Sequence, residues 1–146
     1  MSVSAPIMQA DSPLRDLQAA IVPALREALN GIAEIVDHVP EGKGGPYVMW
    51  DTAWLASRDG LNYTADRVWV QISCWSEYRG FKEVADVADK VIERLSHARV
   101  VMPGWDVTHI LREQEHLTRD VYPRWRRAAI TFNLPYVSLL RTPKED

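Results

Sequence analysis

A chain of 146 residues, 47% apolar and 25% charged, fits one domain around one hydrophobic core, a make-up that argues against both disorder and a membrane span. A net charge of −3 offers no strong basic field for nucleic acid. The single Cys74 cannot close an intramolecular disulfide, and no charged-then-apolar leader opens the sequence, so secretion is unsupported and folding in a reducing cytoplasm is expected.

Residues Met1 to Asp11 lack apolar periodicity and read as a flexible N-terminal arm. Ser12 and Pro13 then supply a helix cap and a proline at the first helical position. Leu14, Leu17, Ile21, Leu25, Ala28 and Leu29 recur at three and four along one helical face, and Asn30 with Gly31 supplies the stop. Pro23 lies inside this run, and because proline removes a backbone donor and crowds the preceding turn, a kink or restart is expected near Val22.

Ile32 to Val39 is a short edge-strand candidate ending at Pro40, followed by a loop through Glu41, Gly42, Lys43, Gly44, Gly45 and Pro46. Tyr47 to Thr52 alternates weakly as a strand, and Ala56 to Thr64 reads as a mobile polar loop. From Arg67 to Trp75 the alternation is clean, with Val68, Val70, Ile72 and Cys74 on one face and Trp69, Gln71, Ser73 and Trp75 on the other. After a turn at Glu77 to Gly80, an apolar stripe of Phe81, Val84, Ala85, Ala88, Val91, Ile92 and Leu95 predicts a second helix packed on the sheet.

Trp105 to Glu115 and Arg124 to Val137 read as two long strands forming an antiparallel hairpin around Leu117 to Pro123, with Ala128, Ile130, Phe132 and Leu134 buried. Beyond Leu140 the charged end, residues 141–146, is expected to fray. The order predicts an α+β fold: a single domain over residues 12–140, with a mostly antiparallel sheet of four to five strands and two main helices on one face. No internal repeat is visible.

Chemistry is sparse. His38, His97, His109 and His116 show no metal-ligand spacing, and the glycine-rich run at Gly42 lacks the spacing and following helix of a phosphate loop. Cys74 falls on a core strand, where a thiol acts as a small hydrophobe. Asp86, Asp89 and Glu93 share a solvated helix face with Lys90 and Arg94. Neither a catalytic residue nor a metal or cofactor is expected.

Two features point elsewhere. Six tryptophans (Trp50, Trp54, Trp69, Trp75, Trp105 and Trp125) are many for this length, and Trp is enriched at interface cores, although burial in the monomer is expected for at least half. The basic cluster Arg124, Arg126 and Arg127, with Arg112 and Arg119 before it, lies on the hairpin, where strand alternation splits it between two faces. Pairing with Glu113, Glu115 and Asp120 is the simple reading; an interface or channel lining is the sharper one.

The stretches Ala24-Leu25-Arg26-Glu27-Ala28-Leu29, Val36-Asp37-His38-Val39-Pro40-Glu41-Gly42 and Pro46-Tyr47-Val48 are followed by Val70 to Ser76, Tyr78-Arg79-Gly80, and a helix through Val84, Ala88, Asp89, Val91 and Leu95. In that order and spacing, over roughly residues 14 to 137, the chain resembles the tail terminator (tail-completion) family of long-tailed bacteriophages and prophages. Pro23 and the region from Trp105 onward depart from that pattern.

The resemblance implies a structural virion protein, assembled in the host cytoplasm: a homo-oligomeric ring, commonly a hexamer, on the head-proximal end of the tail tube. It would stop tube polymerisation and meet a neck protein, with DNA passing through its lumen without specific binding. Such a ring needs a heterologous interface closed by rotation, burying about 1,200 to 2,000 Å² or more per contact. Candidate anchors are Trp54, Trp105, Trp125, Arg112, Arg124, Arg126 and Arg127. A neighbouring head-tail connector of the stopper or head-completion type is the nearest alternative. A dimeric bacterial regulatory module and a small α+β enzyme are the others.

Overall fold

The computed structural model describes residues 11–37, 45–119 and 125–140. The arm up to residue 10, the centre of the glycine-rich loop with His38, the hairpin tip with Asp120 and Arg124, and the C-terminal residues 141–146 lie outside it.

Helix α1 (Leu14–Ala28) buries Leu17, Ile21 and Leu25, one turn apart, and Leu29 closes the stripe just past its end. The Ser12 hydroxyl accepts the Leu14 N–H at 3.4 Å and the Pro13 carbonyl accepts Leu17 N–H at 2.9 Å, so the expected start is displaced by one residue. Gly31, at φ +78°, turns the chain out of the helix in the left-handed region that glycine occupies without penalty. The helix does not restart at Pro23. Both Pro23 and Ala19, whose carbonyl loses its helical partner, are exposed, so the missing bond falls on the solvent side of the helix and not in the core.

Strand β1 (Glu34–Val36) sits on the sheet edge, parallel to β2 (Tyr47–Ser57), with Ile35 opposite Val48. The second half of β2 corrects the expectation of a loop from Ala56. The strand continues to Ser57 against β3 (Ala65–Ser76), pairing Trp54 with Trp69 and Ser57 with Asp66. A bulge between Trp50 and Thr52 is the reason. Val48 and Trp50 share the helix-facing side before it, and Ala53 and Leu55 after it, so one extra residue at Asp51 breaks the period-two pattern.

The true turn is residues 58–64, and it is closed by bonds of its own: Arg58 N–H to Ala65 O at 2.7 Å, Gly60 N–H to Tyr63 O at 3.0 Å, and Ala65 N–H to Asp59 Oδ1 at 2.9 Å. Because Ala65 is buried, Asp59→Ala strands its amide. A loss of about 1–2 kcal/mol in urea unfolding is expected.

Gly80, at φ +81°, leads into α2 (Lys82–Leu95), whose Val84, Val87, Ala88, Val91 and Leu95 are buried. The fully buried Ser76 hydroxyl donates to Glu83 Oε1 at 2.6 Å and accepts Tyr78 N–H at 3.1 Å, pinning the first turn of α2 to the end of β3.

The expected long strand from Trp105 is two strands, β4 (Trp105–Val107) and β5 (Leu111–Arg119), lying end to end along the same edge of β6 (Arg126–Leu139). The break falls beside Pro135, which has no N–H to offer the ladder. There Ile110 turns to another partner, donating to Ala98 O at 3.0 Å and accepting from His97 N–H at 2.7 Å, while Thr108 N–H reaches Tyr136 O at 3.0 Å. The β5–β6 antiparallel pair forms, but β5 runs on through Leu117 to Arg119, where the connecting stretch was expected to begin.

The sheet order is β1-β2-β3-β6-β4 with β5 also on β6, antiparallel except for β1–β2. One sheet face, carrying Val68, Val70, Ile72 and Cys74 of β3 and Ala128, Ile130, Phe132 and Leu134 of β6, packs under both helices. The fold is therefore α+β, with six strands where four to five were expected. Burial pushes the Cys74 thiol up to about 12. At pH 8 it holds no thiolate, so native protein should resist iodoacetamide while urea-unfolded protein reacts.

Candidate partner-binding surface

The sheet face turned away from the helices is built by the other half of the alternation: Thr52, Trp54 and Ala56 of β2, Arg67, Trp69, Gln71, Ser73 and Trp75 of β3, and Arg127, Ala129, Thr131 and Asn133 of β6. Polar and aromatic side chains lie flat on it in two groups. In the first, the indoles of Trp54 and Trp69 stack with centroids 5.9 Å apart and planes 9° from parallel. The Arg67 guanidinium sits 4.9 Å above the Trp69 ring, and Trp69 Nε1 donates to Glu113 Oε1 of β5 at 3.3 Å. An aromatic stack with a cation over it is held in one orientation at small entropic cost.

The second group centres on the bulge. Asp51 forms an ion pair with Arg127, accepts the Ser73 hydroxyl at 2.6 Å and is approached by Gln71 Nε2 at 3.5 Å. Arg127 also donates to Ser73 Oγ through Nε at 3.2 Å, and its guanidinium covers Trp75 at 5.1 Å. Trp75 meets Trp125 edge-on at 6.4 Å, and Trp125 meets Tyr47 at 6.2 Å. Arg67 Nε, Trp75 Nε1 and Asn133 Oδ1 are buried on this side without a hydrogen-bond partner among the described residues.

The expected anchors divide accordingly. Trp54 is 39% exposed and lies on this face. Trp125, 8% exposed, is buried between Tyr47 and Trp75, and Trp105, 9% exposed, belongs to the core, with its Nε1 donating to Asp16 Oδ2 at 3.0 Å to hold α1 against β4. Neither is a surface group in the monomer. The arginines split as the alternation requires: Arg127 joins the open face, whereas Arg126 reaches Trp125 O at 3.3 Å and lies 5.8 Å from the Phe81 ring. Arg112 is exposed on β5.

The simple pairing of Arg127 with hairpin carboxylates gives way to Asp51, 76 positions away in sequence. Its one sequence signal was its charge, since Asp51 is the sole ionisable side chain between Val48 and Ser57.

Among the described residues no group of His, Cys, Asp or Glu is placed to hold a metal ion, and no helix is long and apolar enough to cross a membrane. His109 and His116 are exposed. Open grooves of about 560 and 310 Å³ run along α1, β1 and the start of β2, with Arg26 and Ile35 common to both. What the described residues offer is a preorganised aromatic and charged surface.

The family model of Tail completion protein gp17 matches residues 16–136. The chain belongs to that family. It is accordingly a structural protein of the phage-tail type, as the resemblance over residues 14 to 137 implied. A chain from the virion of a native gene transfer agent particle shares the fold, with a TM-score of 0.75 over 88% of this chain and 100% of that one, at 19% identity. Among curated proteins no sequence matches.

Proposed function

We propose that this tail-completion protein is a tail terminator: copies assemble into a ring, commonly of six, on the head-proximal end of the tail tube, halting its growth and presenting a surface to the neck. The carrying observation is the family match across nearly the whole domain, residues 16–136. A like-folded chain resident in a virion particle fits a part in assembly. Function on this reading is non-catalytic and resides in the virion after assembly in the host cytoplasm.

The partners are other copies of the chain, the tube protein on one side and a head-tail connector on the other. Trp54 is the aromatic anchor left exposed for them, with Arg112 on β5 and Arg126 and Arg127 as the basic groups. DNA crosses the lumen without tight capture, which suits a net charge of −3.

Light scattering across concentration, with negative-stain images, tests the reading. Rings of about six subunits that cap isolated tubes would support it; rings that bind a portal-side connector and leave tube growth unchanged would favour a stopper. A stable dimer would point to a regulatory module instead.

A further inference from the structure

Among the described residues the sheet leaves two edge stretches unpaired. On one side, β5 is bonded to β6 alone, and all nine of its residues, Leu111–Arg119, are exposed. On the other, β1 covers β2 only at Tyr47, Val48 and Met49, so the outer edge of β2 from Asp51 to Ser57 has no strand beside it among the described residues. Exposed edges are ordinarily guarded by charge, proline or a covering element. The stretch Thr52-Ala53-Trp54-Leu55-Ala56-Ser57 has none of these, and the carboxylate of Asp51 is turned to Arg127.

We propose that the ring closes through these edges: β5 of one copy adds to the outer edge of β2, residues 51–57, of the next, so that the sheet continues from protomer to protomer. The inference rests on the ring reading above and names its interface.

Strand direction supports it. Because β2–β3, β3–β6 and β6–β5 are each antiparallel, β5 runs opposite to β2. Rotation about an axis roughly along the strands therefore sets β5 antiparallel beside the neighbour's β2, and two different edges make the contact heterologous, as ring closure requires. Charge supports it too. Pairing β5 with itself about its midpoint would place Glu115 directly opposite Glu115, a repulsive pair, whereas Arg112, Glu113, Glu115, His116 and Arg119 meet no like charge on the uncharged stretch Thr52 to Ser57, and the one carboxylate of that edge, Asp51, is paired with Arg127.

Cysteine pairing provides the test, and the buried Cys74 leaves introduced thiols as the reactive ones. Thr52 and Ala56 of β2 and Gln114, His116 and Thr118 of β5 share the open face of the sheet. Each is replaced by Cys singly, circular dichroism confirming the fold, and each β2 variant is oxidised together with each β5 variant. At least one β2–β5 combination should give a disulfide-linked dimer, and the same two cysteines in one chain a ladder up to the ring size. Single variants oxidised alone should stay unlinked. Disulfides within a β5 variant alone would overturn the proposal in favour of a two-fold contact. Rings seen by light scattering with no β2–β5 disulfide in any combination would overturn the edge assignment and leave the ring standing. Monomer at every concentration, without disulfides in any combination, would overturn the edge pairing and leave the ring reading to the tube-capping test.

Discussion

Phe132→Ala is expected to destabilise the protein by about 3–5 kcal/mol, the range for emptying a buried aromatic site. Among the described residues Phe132 is the largest fully buried side chain, and it is central to β6, opposite Val70 of β3 on one side and Arg112 of β5 on the other. Its ring fills the layer between the sheet and the helices, and strands paired on both sides cannot slide inward to close the void. Single domains are stable by about 5–15 kcal/mol, so the variant should be poorly folded at 37 °C. Phe132→Leu, which keeps most of the volume, should lose about 1–2 kcal/mol. Urea midpoints of the two variants check this. A loss below about 1 kcal/mol for the alanine variant would show that the ring is not in the core.

Asp51→Ala should cost about 2–3 kcal/mol, several times the value of an exposed ion pair. The Asp51 and Arg127 side chains are only 20% and 31% exposed, and the same carboxylate is the acceptor for the fully buried Ser73 hydroxyl. Removing it leaves the guanidinium without its counter-ion and the hydroxyl without its acceptor, with only their bond to each other remaining, which is costlier than never having built the pair. Asp51→Asn keeps an acceptor and should fall about halfway. A double-mutant cycle with Arg127→Ala should return a coupling of about 1–2 kcal/mol; additive effects would mean that the two groups act independently. Because Arg127 also lies over Trp75, the Asp51→Ala protein should show a shifted tryptophan emission even where it stays folded.

Both predictions turn on residues whose roles sit at different depths in the sequence. Phe132 was readable as core from the alternation Ala128, Ile130, Phe132 and Leu134. So were the two helices, through repeats at three and four, and β3, through a clean period of two. These signals are local: a helix or strand with one buried face writes its period into its own residues, whatever packs on it. The family resemblance was legible for a related reason, since it rests on short runs at fixed spacing.

Tertiary structure decided what depends on the neighbouring strand. The bulge at Asp51 shifts the period, so the strand reads as ending at Thr52 and a loop as starting at Ala56, and only the register against β3 carries β2 on to Ser57. The long strand from Trp105 breaks because Pro135 lies on β6 and Ile110 finds Ala98, facts about partners distant in sequence. Whether Trp105 and Trp125 are buried in the monomer, which carboxylate Arg127 meets, and which strand edges lack a neighbour among the described residues follow from the order β1-β2-β3-β6-β4 with β5 also on β6. A period shows that a face is buried; which group covers it, and which edge stays bare, is set by contacts between residues far apart along the chain.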